Sequence, residues 1–331
     1  MERFALAAAV VLGFALTAAL CSLFVPLRRV LERREQQQQP VQSEQPRPAP
    51  LRAPLWGGLC AAAGTVAAVG VGWLAACVGQ PELLGSEGRL MTRLLTALAG
   101  SLAFGAVGLA EDVARMRSPA ALGLRRDVRL LLEALAAAFV LLLLQAAGCL
   151  PRGLGVPGAG YVLLGSAVPF LWAVLMVVLA ECARIAERDE GTVCGAAFVA
   201  MLALMMAEAG LGVPGLAVLP AALAGALVAL LLWAFPPARL GAGCCGSLLA
   251  AGAIGCIPLS LDMTSLTVPL ALPFWAAGGL LAAQLLCAKR TGKPLRCWVK
   301  KHKMSPETVF LCSFALSAVG YVLALALLRW C

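Results

Sequence analysis

Charge is what this sequence has least of. Only 13% of its 331 residues are Asp, Glu, Lys or Arg, whereas a soluble domain carries about a quarter. Histidine occurs once and tyrosine twice. Such a chain has too little polar surface to clothe a water-soluble protein of this size, which excludes soluble enzymes, secreted domains and nucleic-acid-binding modules. None of the 13 cysteines sits in a C-x-x-C pair, and only Cys244 and Cys245 are adjacent. A zinc module or a disulfide framework therefore has no sequence support, and cysteines scattered through apolar runs act as small apolar residues. What the chain has instead is hydrophobic length: 61% apolar residues and a mean hydropathy of +0.90. These are the marks of an integral membrane protein.

A bilayer-spanning helix needs roughly 20 mostly apolar residues. Ten runs qualify, at about 4–25, 56–78, 91–110, 129–150, 160–180, 192–209, 213–235, 243–260, 264–288 and 307–328. They are continuous rather than alternating, so helices and not barrel strands are predicted. The expected fold is all-α and polytopic. Val25–Pro26, Phe235–Pro236–Pro237 and Gly292–Lys293–Pro294 mark helix stops. The first run lacks a small-x-small cleavage pattern and is read as a span rather than a signal peptide. No loop is long enough for a separate domain, so residues 1–331 form a single membrane domain with a Gln/Pro-rich loop at 26–55 and a basic loop at 289–306.

The net charge of +9 resolves into a one-sided distribution. Alternate loops at 26–55, 111–129, 181–191, 236–242 and 289–306 hold 21 of the 26 Lys and Arg residues, and the intervening loops hold three. By the positive-inside rule the basic loops face the cytoplasm and both termini lie outside. Any site then lies at the cytoplasmic ends of the helices or between them.

Three polar constellations stand there. Gly108–Arg115 contains adjacent carboxylates, Glu111 and Asp112. These could hold a Mg²⁺ that bridges phosphate oxygens; equally, Glu111 and Asp112 could pair with Arg115 at i+4 and i+3 on a solvated helix end. Glu181–Gly191 alternates in sign, as in Glu181 and Arg184, which a solvated ladder also explains. The loop Lys289–Lys303, with the only histidine, His302, could bind anionic lipid or pyrophosphate, although topology alone accounts for its charge. A transporter would use polar residues inside spans, for which Glu133, Gln145 and Gln284 are the few candidates.

Order and spacing add a resemblance over nearly the whole chain. Arg52–Gly58 is similar to G-T-P-T-M-G-G, and Gly108–Arg115 is similar to G-F-x-D-D-x-x-K with Glu and Arg replacing the first Asp and the Lys. Gly123–Leu124 with Arg129 matches a G-L followed by Lys. Leu232–Leu248 runs without a gap against W-F-N-x-x-P-A-x-V-F-M-G-D-x-G-S-L, matching at Pro237, Ala238, Gly243, Gly246, Ser247 and Leu248, with Cys244 at the Asp position. Glu181, Arg184, Glu187, Glu190 and Gly191 line up with N-x-x-N-L-x-D-G-x-D-G-L, and Gln284, Lys289, Gly292 and His302 follow the spacing of a last loop that carries a His-His-His run. In these motifs the chain resembles the MraY family, the phospho-N-acetylmuramoyl-pentapeptide transferases within the polyprenyl-phosphate phosphosugar transferases of glycosyltransferase family 4.

The resemblance implies a multi-pass protein of the bacterial cytoplasmic membrane. It also implies a Mg²⁺-dependent reaction in which undecaprenyl phosphate attacks the β-phosphorus of UDP-MurNAc-pentapeptide, releasing UMP and forming lipid I. Carried over by motif, Asp112, Glu111, Glu187 and Glu190 take catalytic positions, with Asp112 and Glu187 as metal ligands. Arg115, Arg129, Gly191, Gly246, Ser247 and His302 take substrate-binding positions. Implied partners are undecaprenyl phosphate, a UDP-sugar, membrane lipids and a second copy in a homodimer. The substitutions speak against full activity. A thiol at Cys244 is a poor ligand for Mg²⁺, and a glutamate one methylene longer misplaces a carboxylate where about 1 Å matters. Two readings follow: a divergent transferase with weak or lost turnover, or a catalytically dead paralogue that serves as a lipid- or partner-binding scaffold.

Overall fold

The computed structural model describes residues 2–38, 56–79, 89–117, 123–151, 153–156, 160–163, 165, 167–187, 191–213, 215–236, 238–291 and 305–330. Within these the chain is overwhelmingly helical: α1 (Glu2–Gln38), α2 (Gly57–Gly79), α3 (Arg89–Arg117), α4 (Arg126–Ala146), α5 (Ala167–Ala186), α6 (Thr192–Gly210), α7 (Val218–Ala234), α8 (Gly243–Ser260), a 3₁₀ turn Thr264–Leu266, α9 (Thr267–Leu270), α10 (Leu272–Thr291) and α11 (Pro306–Trp330). Each of the ten predicted runs contains helix. Seven helices are long and apolar enough to cross a membrane, and the bent pair Thr264–Leu270 with Leu272–Ala283, which turns through 64°, makes an eighth if it is one span. The remaining runs fall on α4 and α7. At 17 residues, α7 is about 26 Å long. The protein is an all-α, multi-pass membrane protein.

Boundaries differ from the sequence reading in three places. First, α1 does not stop at Val25–Pro26 but continues to Gln38. The residues after Pro26 are mostly Leu, Arg, Glu and Gln, strong helix formers that carry the helix past one proline. Second, α3 and α5 extend beyond their apolar runs, so Glu111, Asp112, Arg115 and Glu181 are helical rather than loop residues. Third, the run read as a span from residue 160 begins with an antiparallel hairpin, β1 (Gly153–Val156) and β2 (Gly160–Leu163), in which Val156 pairs with Gly160; helix starts only at Ala167. The glycines around Val156, Tyr161 and Val162 favour a tight hairpin over a first helical turn.

The middle of the molecule is α8, buried along its whole length. It is flanked by α3, its most extensive partner, and by α2, α5 and α6. Small residues allow this close approach, since lipid supplies no hydrophobic drive between helices and backbone contact must do the work. A Cβ on Gly58 of α2 would collide with Gly246 of α8 and with the carbonyl of Ala242 just before it, and one on Gly108 of α3 with the carbonyl of Cys244. The glycines of the sequence motifs are thus the contact points at which α2 and α3 lie on α8.

Candidate functional site

The N-terminus of α8 builds the site. Gly243 opens the helix with φ +68°, and Ala242 offers no side-chain cap. The first amides of a helix have no intrahelical acceptors and must find partners elsewhere. Here the partner is Asp112 on α3. Its Oδ1 accepts from the Cys244 N–H at 3.0 Å and its Oδ2 from the Cys245 N–H at 2.8 Å. Asp112 is 1% exposed. It therefore caps α8 across the helix interface, with its negative charge at the positive end of the helix dipole. Both carboxylate oxygens accept an amide, and the i+3 ion pair with Arg115 considered from spacing is not formed.

One residue earlier, Glu111 is 2% exposed and serves two guanidinium groups. Arg115 Nη2 donates to its Oε1 at 2.8 Å, and Arg129 Nη1 approaches its Oε2 at 3.4 Å. Arg129 reaches from α4 and also donates through Nε to Glu181 Oε1 at 2.7 Å. Glu181 accepts in turn from Arg184 at 2.6 Å. At the other end Arg115 Nη1 lies 3.8 Å from Glu187 Oε2. The result is one alternating chain, Glu187–Arg115–Glu111–Arg129–Glu181–Arg184, tying α3, α4 and α5 together. The i+4 and i+3 pairs anticipated for solvated helix faces do exist, but as parts of a half-buried network around buried Glu111 and Arg129.

Other residues named from the motifs are structural in this arrangement. Ser247 is fully buried and donates to the Cys244 carbonyl at 3.1 Å. Gly246 packs against Gly58. Gly191, at φ +74°, precedes α6 in a left-handed conformation beside the Ala234 carbonyl. Cys244 occupies the Asp position of the motif at the start of α8 and is completely buried. Glu190 and His302 lie outside the described residues. Two members of the network went unassigned in the sequence reading, Glu181 and Arg184, because both fall on Asn positions of the motif; their alternating charge was the available signal. Glu133, one turn along α4 from Arg129, is also buried at 0% exposure, and neither carboxylate oxygen has a hydrogen-bond partner.

Residues 94–262 match the model of glycosyl transferase family 4. The chain belongs to glycosyl transferase family 4. That match covers α3 through α8, the part of the family fold in which the acidic network and the α8 cap lie. Among similar proteins of the family is a phospho-N-acetylmuramoyl-pentapeptide-transferase of Synechococcus sp. (strain RCC307), 32% identical over 215 residues, 63% of this chain and 55% of that protein. That of Mycobacterium tuberculosis (strain ATCC 25618 / H37Rv) is 27% identical over 265 residues, 72% of each chain. That of Desulforudis audaxviator (strain MP104C) is 33% identical over 170 residues, 48% of this chain and 50% of the relative. The chain thus spans about half the length of two of these relatives and 72% of the third. Against the motifs quoted for such transferases, its glycines are kept and its acidic positions are altered.

The Mg²⁺ implied by the family can be tested against the donor set. Asp112 has given both oxygens to backbone amides. Glu111 is held between two arginines, and Glu187 faces Arg115. Cys244 supplies a buried thiol where a hard oxygen ligand is needed. Among the described residues no three His, Cys, Asp or Glu side chains converge as metal ligands. The described residues do not fit the ion.

Proposed function

We propose that this is a MraY-type protein of the bacterial cytoplasmic membrane. It binds undecaprenyl phosphate and a UDP-linked phosphosugar at the α3–α5–α8 end of the fold, and its transfer of phospho-N-acetylmuramoyl-pentapeptide to form lipid I is weak or lost. The relatives' names support the substrate class, and the apolar helices support the membrane. The reduced turnover rests on one observation, the commitment of Asp112 and Glu111 to an internal cap and internal ion pairs. Attack by a lipid phosphate on a diphosphate needs groups that offset developing negative charge and orient the nucleophile. Here Arg115, Arg129 and Arg184 can offer planar forks to phosphate oxygens, but each must first leave a carboxylate. Asp112 and Glu111 are both engaged in these internal contacts and are not directed at a nucleophile.

The test is UMP release. Purified full-length protein is incubated with UDP-MurNAc-pentapeptide, undecaprenyl phosphate and Mg²⁺, beside an authentic transferase. Loss of one preorganised electrostatic contact costs about 10²–10³ in turnover, so release at least about 10²-fold slower than the control is expected. Release at the control's rate overturns the reading.

A second reading, a catalytically dead paralogue acting as a scaffold, is favoured by the different fates of the two kinds of motif residue. Gly58, Gly108 and Gly246 still make the helix contacts, while the acidic positions are rerouted. Fold has been kept where chemistry has changed. Co-purification of a specific envelope protein with the full-length chain is its required positive result. A homodimer is the further assembly that the family suggests.

A further inference from the structure

We infer that the Arg115 guanidinium is a resident cation, built into the chain at the place where the family's acidic positions meet. This rests on the reading that the α3–α5–α8 end is the family's site. Arg115 projects from α3 and presents one nitrogen to Glu111 at 2.8 Å and another to Glu187 at 3.8 Å. It also lies within electrostatic range of Cys244. Those three residues stand at the first acidic position of the α3 motif, the first acidic position of the α5–α6 motif and the Asp position of the α8 motif. One covalently tethered positive charge therefore bridges groups that come from three separate segments. A guanidinium is suited to this, because its fork contacts two carboxylates at once and it never loses its charge.

The surroundings hold it in place. Gly123 folds its backbone over the pair at φ +69°, and a Cβ there would stand 3.0 Å from Arg115 Cγ and 3.4 Å from Glu111 Oε1. A larger residue there would be strained at this φ and would crowd the Arg115 stem. Arg129 neutralises Glu111 from the opposite side, and the α8 amides satisfy Asp112. With these charges already compensated, a divalent ion entering here would have to compete with a tethered cation for Glu111 and Glu187 and share Asp112 with the α8 amides. Arg115 is accordingly a positioning residue that makes this end of the protein indifferent to divalent metal, and a phosphate-bearing ligand meets a guanidinium there rather than an ion.

Metal binding and stability test this directly. Full-length protein in detergent is titrated with Mn²⁺, followed by the electron paramagnetic resonance of the free ion, and its thermal midpoint is measured in EDTA and in Mg²⁺. Wild type takes up no stoichiometric Mn²⁺ and melts at the same temperature in both; one bound Mn²⁺ per chain, or a midpoint lowered by EDTA, overturns the inference. The double variant R115A/C244D removes the Arg115 contacts of Glu111 and Glu187 and restores a hard ligand, so it gains one Mn²⁺ per chain; a folded double variant without that gain overturns it. Should the double variant not fold, R115Q carries the test: its midpoint falls below wild type and rises with Mg²⁺, and indifference to Mg²⁺ counts against the inference. The UMP assay separates this from the proposed function, since wild type that turns over at full rate without binding Mn²⁺ overturns only the reading of weak turnover.

Discussion

Asp112 shows how one side chain can keep its identity and change its job. The resemblance places it among metal ligands, yet its two oxygens receive the first amides of α8. The position is buried, so those amides have no access to water, and removing their acceptor leaves two unpaired donors. A hydrogen bond to a charged group contributes about 1.5–3 kcal/mol. Asp112→Ala is expected to destabilise the protein by about 3 kcal/mol, read as a lower thermal midpoint in detergent. Cys244→Ala, by contrast, keeps the amide that Asp112 accepts and removes only a sulfur, at a cost of about 1 kcal/mol. Equal losses for the two variants would mean that Asp112 is not acting as a cap. The same carboxylate could be recognised in the sequence from its motif, but its cap could not. That role depends on α8 beginning at Gly243 without a side-chain cap of its own, and on α3 running past its apolar stretch as far as Arg117.

Among elements, the pairing of α2 and α3 with α8 decides where every polar group of the site stands. Hydropathy made these helices visible, because apolar length is a property of each segment alone. It did not show which helix is central. The sequence of α8 is no more hydrophobic than that of its neighbours, and its burial follows from Gly58, Gly108 and Gly246 letting three backbones come together. The hairpin β1–β2 was hidden for a related reason: Gly153–Leu163 is apolar, and apolar character is shared by a strand pair and the start of a span. The ion pairs were half legible. Glu111–Arg115 and Glu181–Arg184 follow helical spacing, whereas the Arg129 bridge between Glu111 and Glu181 joins residues 18 and 52 positions apart, and no local pattern records it. Gly58→Leu tests the packing. Its side chain would have to enter space held by the Gly246 and Ala242 backbone, and overpacking of this kind costs about 1–3 kcal/mol or more. A midpoint well below wild type is expected, together with a loss of accumulated folded protein; a variant as stable as wild type would show that α2 and α8 are not in backbone contact.

At the scale of the whole molecule, the ion pairs seen among the described residues gather at one end. The segments 111–129 and 181–191 are distant in sequence and are separated by an intervening loop, yet Arg129 and Glu181 touch at 2.7 Å and Arg115 faces Glu187. Both segments are among the loops that hold most of the Lys and Arg residues, so the three-dimensional contacts place on one side two loops that charge counting also assigns to one side. Two spans separate them in the sequence reading, α4 and α5, and a chain that crosses twice returns to the side it left. The orientation of that side then follows from the excess of basic residues in short loops, which are retained in the cytoplasm because moving them across the membrane is unfavourable. With the network end inside, the ten-span reading of the sequence puts both termini outside. Fusion of alkaline phosphatase after Cys331 is expected to be active and fusion of a fluorescent protein at the same point dark, with the reverse pattern for fusions placed in the 289–306 loop. A fluorescent C-terminal fusion would put the basic loops outside, and a phosphate ligand supplied from the cytoplasm could then no longer reach Arg115.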